Sequence, residues 1–129
     1  MIPTIVPIYA AIFALMLVGL SLRVANTRRE AQVALGDGGK RILQRRIRAQ
    51  GNFTEYVPMA LILFLFIEWQ GWPRWMVHAL CLVLLAARSL HAYGVSQEPE
   101  DIRLRATGMA TTAGVLVVAS LLLLFNAFR

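Results

Sequence analysis

Four long apolar stretches alternate with short polar segments along the chain. Residues 2–22 carry no charged side chain, and neither do residues 106–128. Two shorter stretches lie between them: residues 57–67, which extends to 68 on a helix begun near Arg48, and residues 75–87, which can continue towards Tyr93. Because a helix needs about 20 residues to cross a bilayer, this pattern predicts four transmembrane helices.

Composition supports a membrane protein. The 129 residues are 58% hydrophobic and 16% charged, with a mean hydropathy of +0.62. Soluble domains contain about 45–50% apolar and about 25% charged residues. We therefore expect an all-α integral membrane four-helix bundle, with a single domain spanning residues 1–129. The apolar excess excludes intrinsic disorder, and the single cysteine, Cys81, excludes a disulfide scaffold. Cys81 is expected to serve in packing.

The first apolar stretch is expected to be a retained helix. No Lys or Arg precedes it, and it is longer than the about 7–15 apolar residues of a signal peptide.

The basic residues are distributed unevenly. Eleven of the thirteen lie in residues 23–48 and 88–105, and only Arg74 and Arg129 lie outside these segments. The positive-inside rule then predicts that both termini face outward and that the arginine-rich loops are cytoplasmic. Because these residues flank membrane spans, we expect them to set topology and contact anionic lipids. Nucleic-acid binding is not expected.

Glycine, proline and acidic residues mark the connections. Residues 34–39 are glycine-rich and are expected to end helix one. Residues 70–73 predict a tight outer turn, and residues 97–101 form an acidic inner loop.

Polar side chains cluster where the second span begins, in residues 48–58 (RAQGNFTEYVP). Arg48, Asn52, Glu55 and Tyr56 follow the spacing i, i+4, i+7 and i+8, so they share one face of a helix. Ionisable groups are costly in a membrane unless they face a bundle interior or a wet cavity. Two interpretations remain open: a ligand site, or a polar clamp between helices, for instance one in which Arg48 or a neighbouring arginine pairs with Glu55.

The same segment resembles the helix-two signature of the MAPEG family, the membrane-associated proteins in eicosanoid and glutathione metabolism. The similarity is greatest to the leukotriene-forming and microsomal glutathione transferases. Residues 21–29 (SLRVANTRR) match the end of that family's first helix, and Ala87-Arg88 matches a further basic position. The resemblance implies a homotrimer in a membrane, here a bacterial inner membrane. It places glutathione between neighbouring subunits, near the cytoplasmic face.

The resemblance also implies which residues bind glutathione. Glu55 suits the amino group of the tripeptide, whereas Arg29 and Arg48 suit its carboxylates because a guanidinium can bind a carboxylate in a bidentate fork. His78 and His91 lack cysteine or acidic neighbours in sequence, so no metal site is expected. The implied glutathione contacts are Arg29, Arg48, Gln50, Asn52, Glu55, Tyr56, Arg88, His91 and Tyr93.

The thiol-activating arginine is either Arg103 or Arg105. The segment Ile102-Arg103-Leu104 fits the family's local pattern better, and Arg105 fits its spacing to the fourth helix better; Arg103 is favoured. The chain departs from the family at Val95, where relatives carry tyrosine, and in its longer, acidic inner loop. A nearby arginine favours the thiolate, which is the nucleophile, without exchanging its own proton.

We therefore expect a glutathione-dependent transferase or peroxidase, with glutathione as co-substrate. The second substrate would be a small hydrophobic electrophile or a lipid hydroperoxide that enters from the bilayer. A non-catalytic MAPEG-fold protein that binds glutathione or a lipid-like ligand is the alternative. A small four-helix exporter is disfavoured because residues 2–22 contain no carboxylate.

Overall fold

The computed structural model describes residues 2–128 and contains four α-helices within them. These are α1 (Ile5–Ala31), α2 (Arg41–Trp69), α3 (Arg74–Ser96) and α4 (Ile102–Ala127). Each is long and apolar enough to cross a membrane, and the described residues include no β-strand. The predicted all-α fold with four spans is confirmed. Arg129, which contributes to the charge asymmetry, lies outside the described residues.

The helices are longer than the apolar stretches. Helix α1 continues past residue 22 through the paired arginines, α2 begins before Arg48, and α4 begins before residue 106. Apolar side chains mark the part of a helix that can lie in hydrocarbon, but backbone hydrogen bonding continues into the polar boundary. Arginine side chains are compatible with this continuation because Arg is a good helix former.

Helix α1 does not end at the glycine-rich segment, so that prediction is wrong. The helix stops at Ala31, and Gln32 adopts a left-handed conformation with φ of 56°. The Gln32 backbone N–H donates to carbonyls of the last helical turn, which closes the helix. The glycines lie beyond this point, and Gly36, Gly38 and Gly39 have positive φ angles that turn the chain towards α2.

Two glycines allow α3 and α4 to pack with their backbones in close approach. A Cβ atom at Gly108 would lie 2.6 Å from the carbonyl oxygen of Ala87, and a Cβ at Gly94 would lie 2.6 Å from the backbone nitrogen of Arg105. Small residues permit such close helix contacts in membranes. The packing holds His91, on α3, against the first turns of α4.

A buried carboxylate joins the last turn of α2 to the first turn of α1. Glu68 is 6% exposed, and its oxygens accept hydrogen bonds from the backbone N–H groups of Thr4 and Ile5 at 2.6 Å and of Val6 at 2.8 Å. These N–H groups have no intrahelical acceptor. Glu68 therefore caps α1 in place of the Thr4 side chain, which makes no capping hydrogen bond.

The core lies between the four helices. Phe13 of α1 contacts Phe53 of α2, with ring centroids 6.1 Å apart, and Tyr9 hydrogen-bonds His78 across α1 and α3. Cys81 is fully buried and unpaired, in agreement with the predicted packing role.

Candidate functional site

A groove of about 370 Å³ opens between α2, α3 and α4 at the arginine-rich end of the bundle, where α2 and α4 begin. One side is polar and combines predicted residues from all three helices. The other side is apolar and belongs to α4. The lining residues are Arg48, Asn52, Tyr56, His91, Ile102, Arg105, Ala106 and Met109.

Arg88 lies behind the polar side of this groove and is 1% exposed. Its Nη1 donates to Asn52 Oδ1 at 2.9 Å, and its guanidinium carbon lies 6.0 Å from the centroid of the Tyr56 ring. The Nε and Nη2 atoms are buried without a hydrogen-bond partner among residues 2–128. Buried polar groups are almost always satisfied, so these two donors are unusual; they are closed off from solvent, and Arg88 does not itself line the groove.

Arg48 and Glu55 form an ion pair along one face of α2. Their side-chain nitrogen and oxygen are 3.1 Å apart, and the side chains are 56% and 48% exposed. Both residues lie on the same helix, so this pair does not join two helices; a polar contact between helices is instead the hydrogen bond from Arg88 to Asn52. Arg48 lines the groove. Glu55 does not line it, but its carboxylate accepts a hydrogen bond from Arg48.

Glu100 connects the inner loop to two helices. Its carboxylate accepts a hydrogen bond from Arg105 and lies 3.4 Å from the guanidinium of Arg45. The hydrogen bond from Arg105 holds the pKa of Glu100 below its ordinary value, against the opposing effect of burial, and Arg45 acts in the same direction as Arg105. The acidic inner loop is the sequence signal for this contact. The sequence alone could not show that Arg45 and Arg105 are the partners of Glu100.

The two candidate activating arginines differ in position. Asp101 caps α4 by accepting hydrogen bonds from the backbone N–H groups of Arg103 and Leu104. With the helix begun at Ile102, residues two positions apart differ by about 200° in direction. Arg105 lines the groove, and Arg103 is exposed and does not.

Three other predicted contacts lie away from the groove. Gln50 donates to Ser21 Oγ at 2.9 Å and joins α2 to α1, while Arg29 and Tyr93 are exposed on α1 and α3. A single chain therefore gathers Arg48, Asn52, Tyr56, His91 and Arg105, with Arg88 behind them. The sequence did not predict that the apolar side of the groove consists of Ile102, Ala106 and Met109. An apolar helix sequence contains no signal for the face that borders a groove.

Comparison with known proteins identifies the family. The MAPEG family model matches residues 6–125. This chain belongs to the MAPEG family. The predicted membership is thus confirmed over nearly the whole chain.

The relatives of this MAPEG protein include inner membrane protein YecN of Escherichia coli strain K12. The two are 44% identical over 105 residues, which is 81% of this chain and 79% of YecN. YecN of Escherichia coli O6:H1 gives the same identity and coverage. Family membership and the four spans together make the chain an integral membrane protein.

Proposed function

We propose that this MAPEG protein is a glutathione-dependent transferase or peroxidase that acts on apolar electrophiles or lipid hydroperoxides. The observation that carries the proposal is Arg88, a buried guanidinium whose Nε and Nη2 lack a partner within residues 2–128. A guanidinium with two spare N–H directions suits a carboxylate. Glutathione supplies two carboxylates, an ammonium group and a thiol.

The groove offers complementary groups for each part of the tripeptide. The Asn52 amide at the groove wall, with the charge of Arg88 directly behind it, binds one carboxylate, and Arg48 binds the other. Glu55, beside Arg48, binds the ammonium. The apolar side of the groove on α4 receives the hydrophobic substrate, which enters from the bilayer.

We assign thiol activation to Arg105 rather than Arg103, because Arg105 lines the groove with the other ligand-binding residues. A thiol of pKa about 8.5 is mostly protonated at neutral pH, and a fixed positive charge favours the thiolate. The thiolate then forms a C–S bond with an electrophilic carbon as a leaving group departs. With a hydroperoxide, two glutathiones are oxidised to the disulfide while the O–O bond is reduced to alcohol and water.

The proposal includes a homotrimer in an inner membrane, with the arginine-rich loops in the cytoplasm. Arg29, Glu55 and Tyr93 are exposed in a single chain, although the resemblance gives them glutathione contacts. A neighbouring subunit at the groove would bring such residues to the ligand. Native mass spectrometry is expected to show a trimer; a stable monomer or dimer in several detergents contradicts this assembly.

A non-catalytic binding protein is the second candidate, and one contact favours it. Glu100 hydrogen-bonds Arg105, so the candidate activating arginine already has a carboxylate partner. Turnover separates the candidates: the enzyme consumes glutathione in the presence of an aryl halide or a lipid hydroperoxide, and the binding protein does not.

Binding is tested by thermal unfolding of the detergent-purified protein with glutathione, with its thiol-free analogue and with other low-molecular-weight thiols. Ligand at about 100 times its Kd stabilises the protein by about 2.7 kcal/mol. We expect stabilisation by glutathione that is lost in Arg88→Gln and retained in Arg74→Gln, which removes an exposed arginine at the opposite end of the bundle. Absence of a shift with glutathione contradicts the proposal.

A further inference from the structure

A second groove, of about 380 Å³, lies beside the ligand groove where α2 and α4 begin. It shares Arg48 and Arg105 with the ligand groove, whereas Arg41, Gln44 and Arg45 line this one alone. We call it the basic groove. Its lining residues are Arg41, Gln44, Arg45, Arg48, Val95, Glu100 and Arg105.

Charge in the basic groove is strongly unbalanced. Four lining residues are arginines and one, Glu100, is acidic. Arg41 lies 3.9 Å from Glu98, and its side chain is 81% exposed. Arg48 pairs with Glu55. Arg45 and Arg105 share Glu100. Four guanidinium groups thus face three carboxylates, which leaves an excess of donors at the edge of the membrane-spanning segments.

The contacts of Glu100 show what shape of group the basic groove accepts. Its carboxylate lies between the guanidinium groups of Arg45 and Arg105, which come from two different helices. An oxyanion is thus held between α2 and α4. A phosphate, like a carboxylate, can accept two parallel hydrogen bonds from one guanidinium, and it has more acceptor oxygens.

The start of α2 adds to the attraction for an anion. Lys40 makes no side-chain capping hydrogen bond, and the first turn contains no acidic residue. The positive end of the helix dipole, and the backbone N–H groups there, are consequently not neutralised within the helix. Arg41 and Arg45 extend from this same end.

We propose that the basic groove binds the phosphate of an anionic phospholipid headgroup. The groove lies where the spanning helices reach their polar ends, and clustered arginines beside a transmembrane helix attract anionic lipids. Val95 provides an apolar side next to the charged one. The site adjoins the proposed glutathione site and shares Arg48 and Arg105 with it, whereas Arg41, Gln44 and Arg45 line the basic groove alone.

The test is a titration of the detergent-purified full chain with short-chain phosphatidylglycerol, followed by native mass spectrometry or calorimetry. Phosphatidylcholine is the neutral-lipid control, and inorganic phosphate distinguishes a lipid headgroup from a free phosphate. A direct hydrogen bond to a charged group contributes at least about tenfold in affinity. Arg45→Gln is therefore expected to weaken phosphatidylglycerol binding about tenfold, and Arg41→Gln with Arg45→Gln about 100-fold.

Lys40→Gln is the matched control, because Lys40 is exposed at the same end of α2 but does not line the basic groove. Arg45→Lys keeps the charge but lacks the planar fork, so it should bind less tightly than the wild type and more tightly than Arg45→Gln. Arg41→Gln, at an exposed position, provides the same test should Arg45→Gln fail to fold.

A larger loss in Arg45→Gln than in Lys40→Gln supports the site. The same pattern with inorganic phosphate supports the phosphate chemistry and assigns it to the free ion. Equal losses in both variants, or none, overturn the proposal, because diffuse surface charge does not distinguish the two positions. Glutathione binding in Arg41→Gln is expected to be unchanged, because Arg41 pairs with Glu98 and does not line the ligand groove. Failure of this site and failure of the proposed function therefore give different results.

Discussion

Arg88 on α3 donates to Asn52 Oδ1 on α2 at 2.9 Å, which joins the two helices by a buried charge-assisted hydrogen bond. This bond satisfies one part of the guanidinium and fixes its orientation behind the groove. Its remaining donors have no acceptor in the described part of the chain. In a membrane such a group is a functional-site hypothesis by default, and the proposed binding of glutathione rests on it.

Replacing Asn52 by alanine should destabilise the bundle. The change removes the acceptor from a buried cation, and a hydrogen bond to a charged group contributes about 1.5–3 kcal/mol. We expect the free energy of unfolding in detergent to fall by about 2 kcal/mol. Asn26→Ala, at an exposed position on α1, should have little effect. Equal stability of the two variants would show that the Arg88–Asn52 bond contributes little.

Glu68→Gln should also destabilise the protein, at the other end of the bundle. The carboxylate accepts three backbone N–H groups, whereas an amide presents one oxygen and an NH₂ group that repels the donors. Loss of the charge at the positive end of α1 adds to the effect. We expect a loss of about 2 kcal/mol in chemical unfolding. Glu98→Gln, in the exposed loop, is the control; a Glu68 variant as stable as that control contradicts the capping role.

Features that depend on one helix alone were predictable from sequence, whereas features that depend on contacts between distant segments were not. The four spans follow from hydropathy, because each helix must match the membrane by itself. The face shared by Arg48, Asn52 and Tyr56 follows from helix periodicity. The cap formed by Glu68 could not be predicted, since it depends on where the end of α2 meets the start of α1.

The start of α4 explains why sequence similarity favoured Arg103 although Arg105 is the one that lines the groove. Capping by Asp101 fixes where α4 begins, and this start determines which of Arg103 and Arg105 lines the groove. Local sequence similarity favoured Arg103 because it contains no information about the helix start. The exposure of Glu55 likewise depends on which helices pack against α2.

Stability should depend on pH through Glu100. The pKa of this carboxyl is lowered from an ordinary value of 4.5, first by the hydrogen bond from Arg105. A lowered folded-state pKa means that the ion pair stabilises the fold above pH 4.5 and that this contribution is lost as pH falls through the folded-state pKa. We expect the melting temperature of the wild type to fall towards that of Glu100→Gln in acid. A constant difference between the two across this range contradicts the contribution of Glu100.

Glu55→Gln should weaken glutathione binding while retaining the side-chain shape. The variant removes the charge proposed to bind the ammonium group, but the side chain is about half exposed in the single chain. An exposed ion pair contributes about 0.2–1 kcal/mol, so the expected loss of affinity is at most about fivefold by calorimetry. Glu30→Gln, an exposed acid on α1, controls for net charge. A much larger loss would indicate that Glu55 is buried against a neighbouring subunit.

The most direct test of the proposed chemistry is the ultraviolet absorbance of the glutathione thiolate, measured against pH with the wild type, Arg103→Leu and Arg105→Leu. The proposal predicts that bound glutathione is a thiolate at neutral pH in the wild type and in Arg103→Leu, and that it becomes a thiol in Arg105→Leu. Loss in Arg103→Leu alone would move the role to that residue. Absence of thiolate in the wild type would contradict the account of a glutathione-activating enzyme.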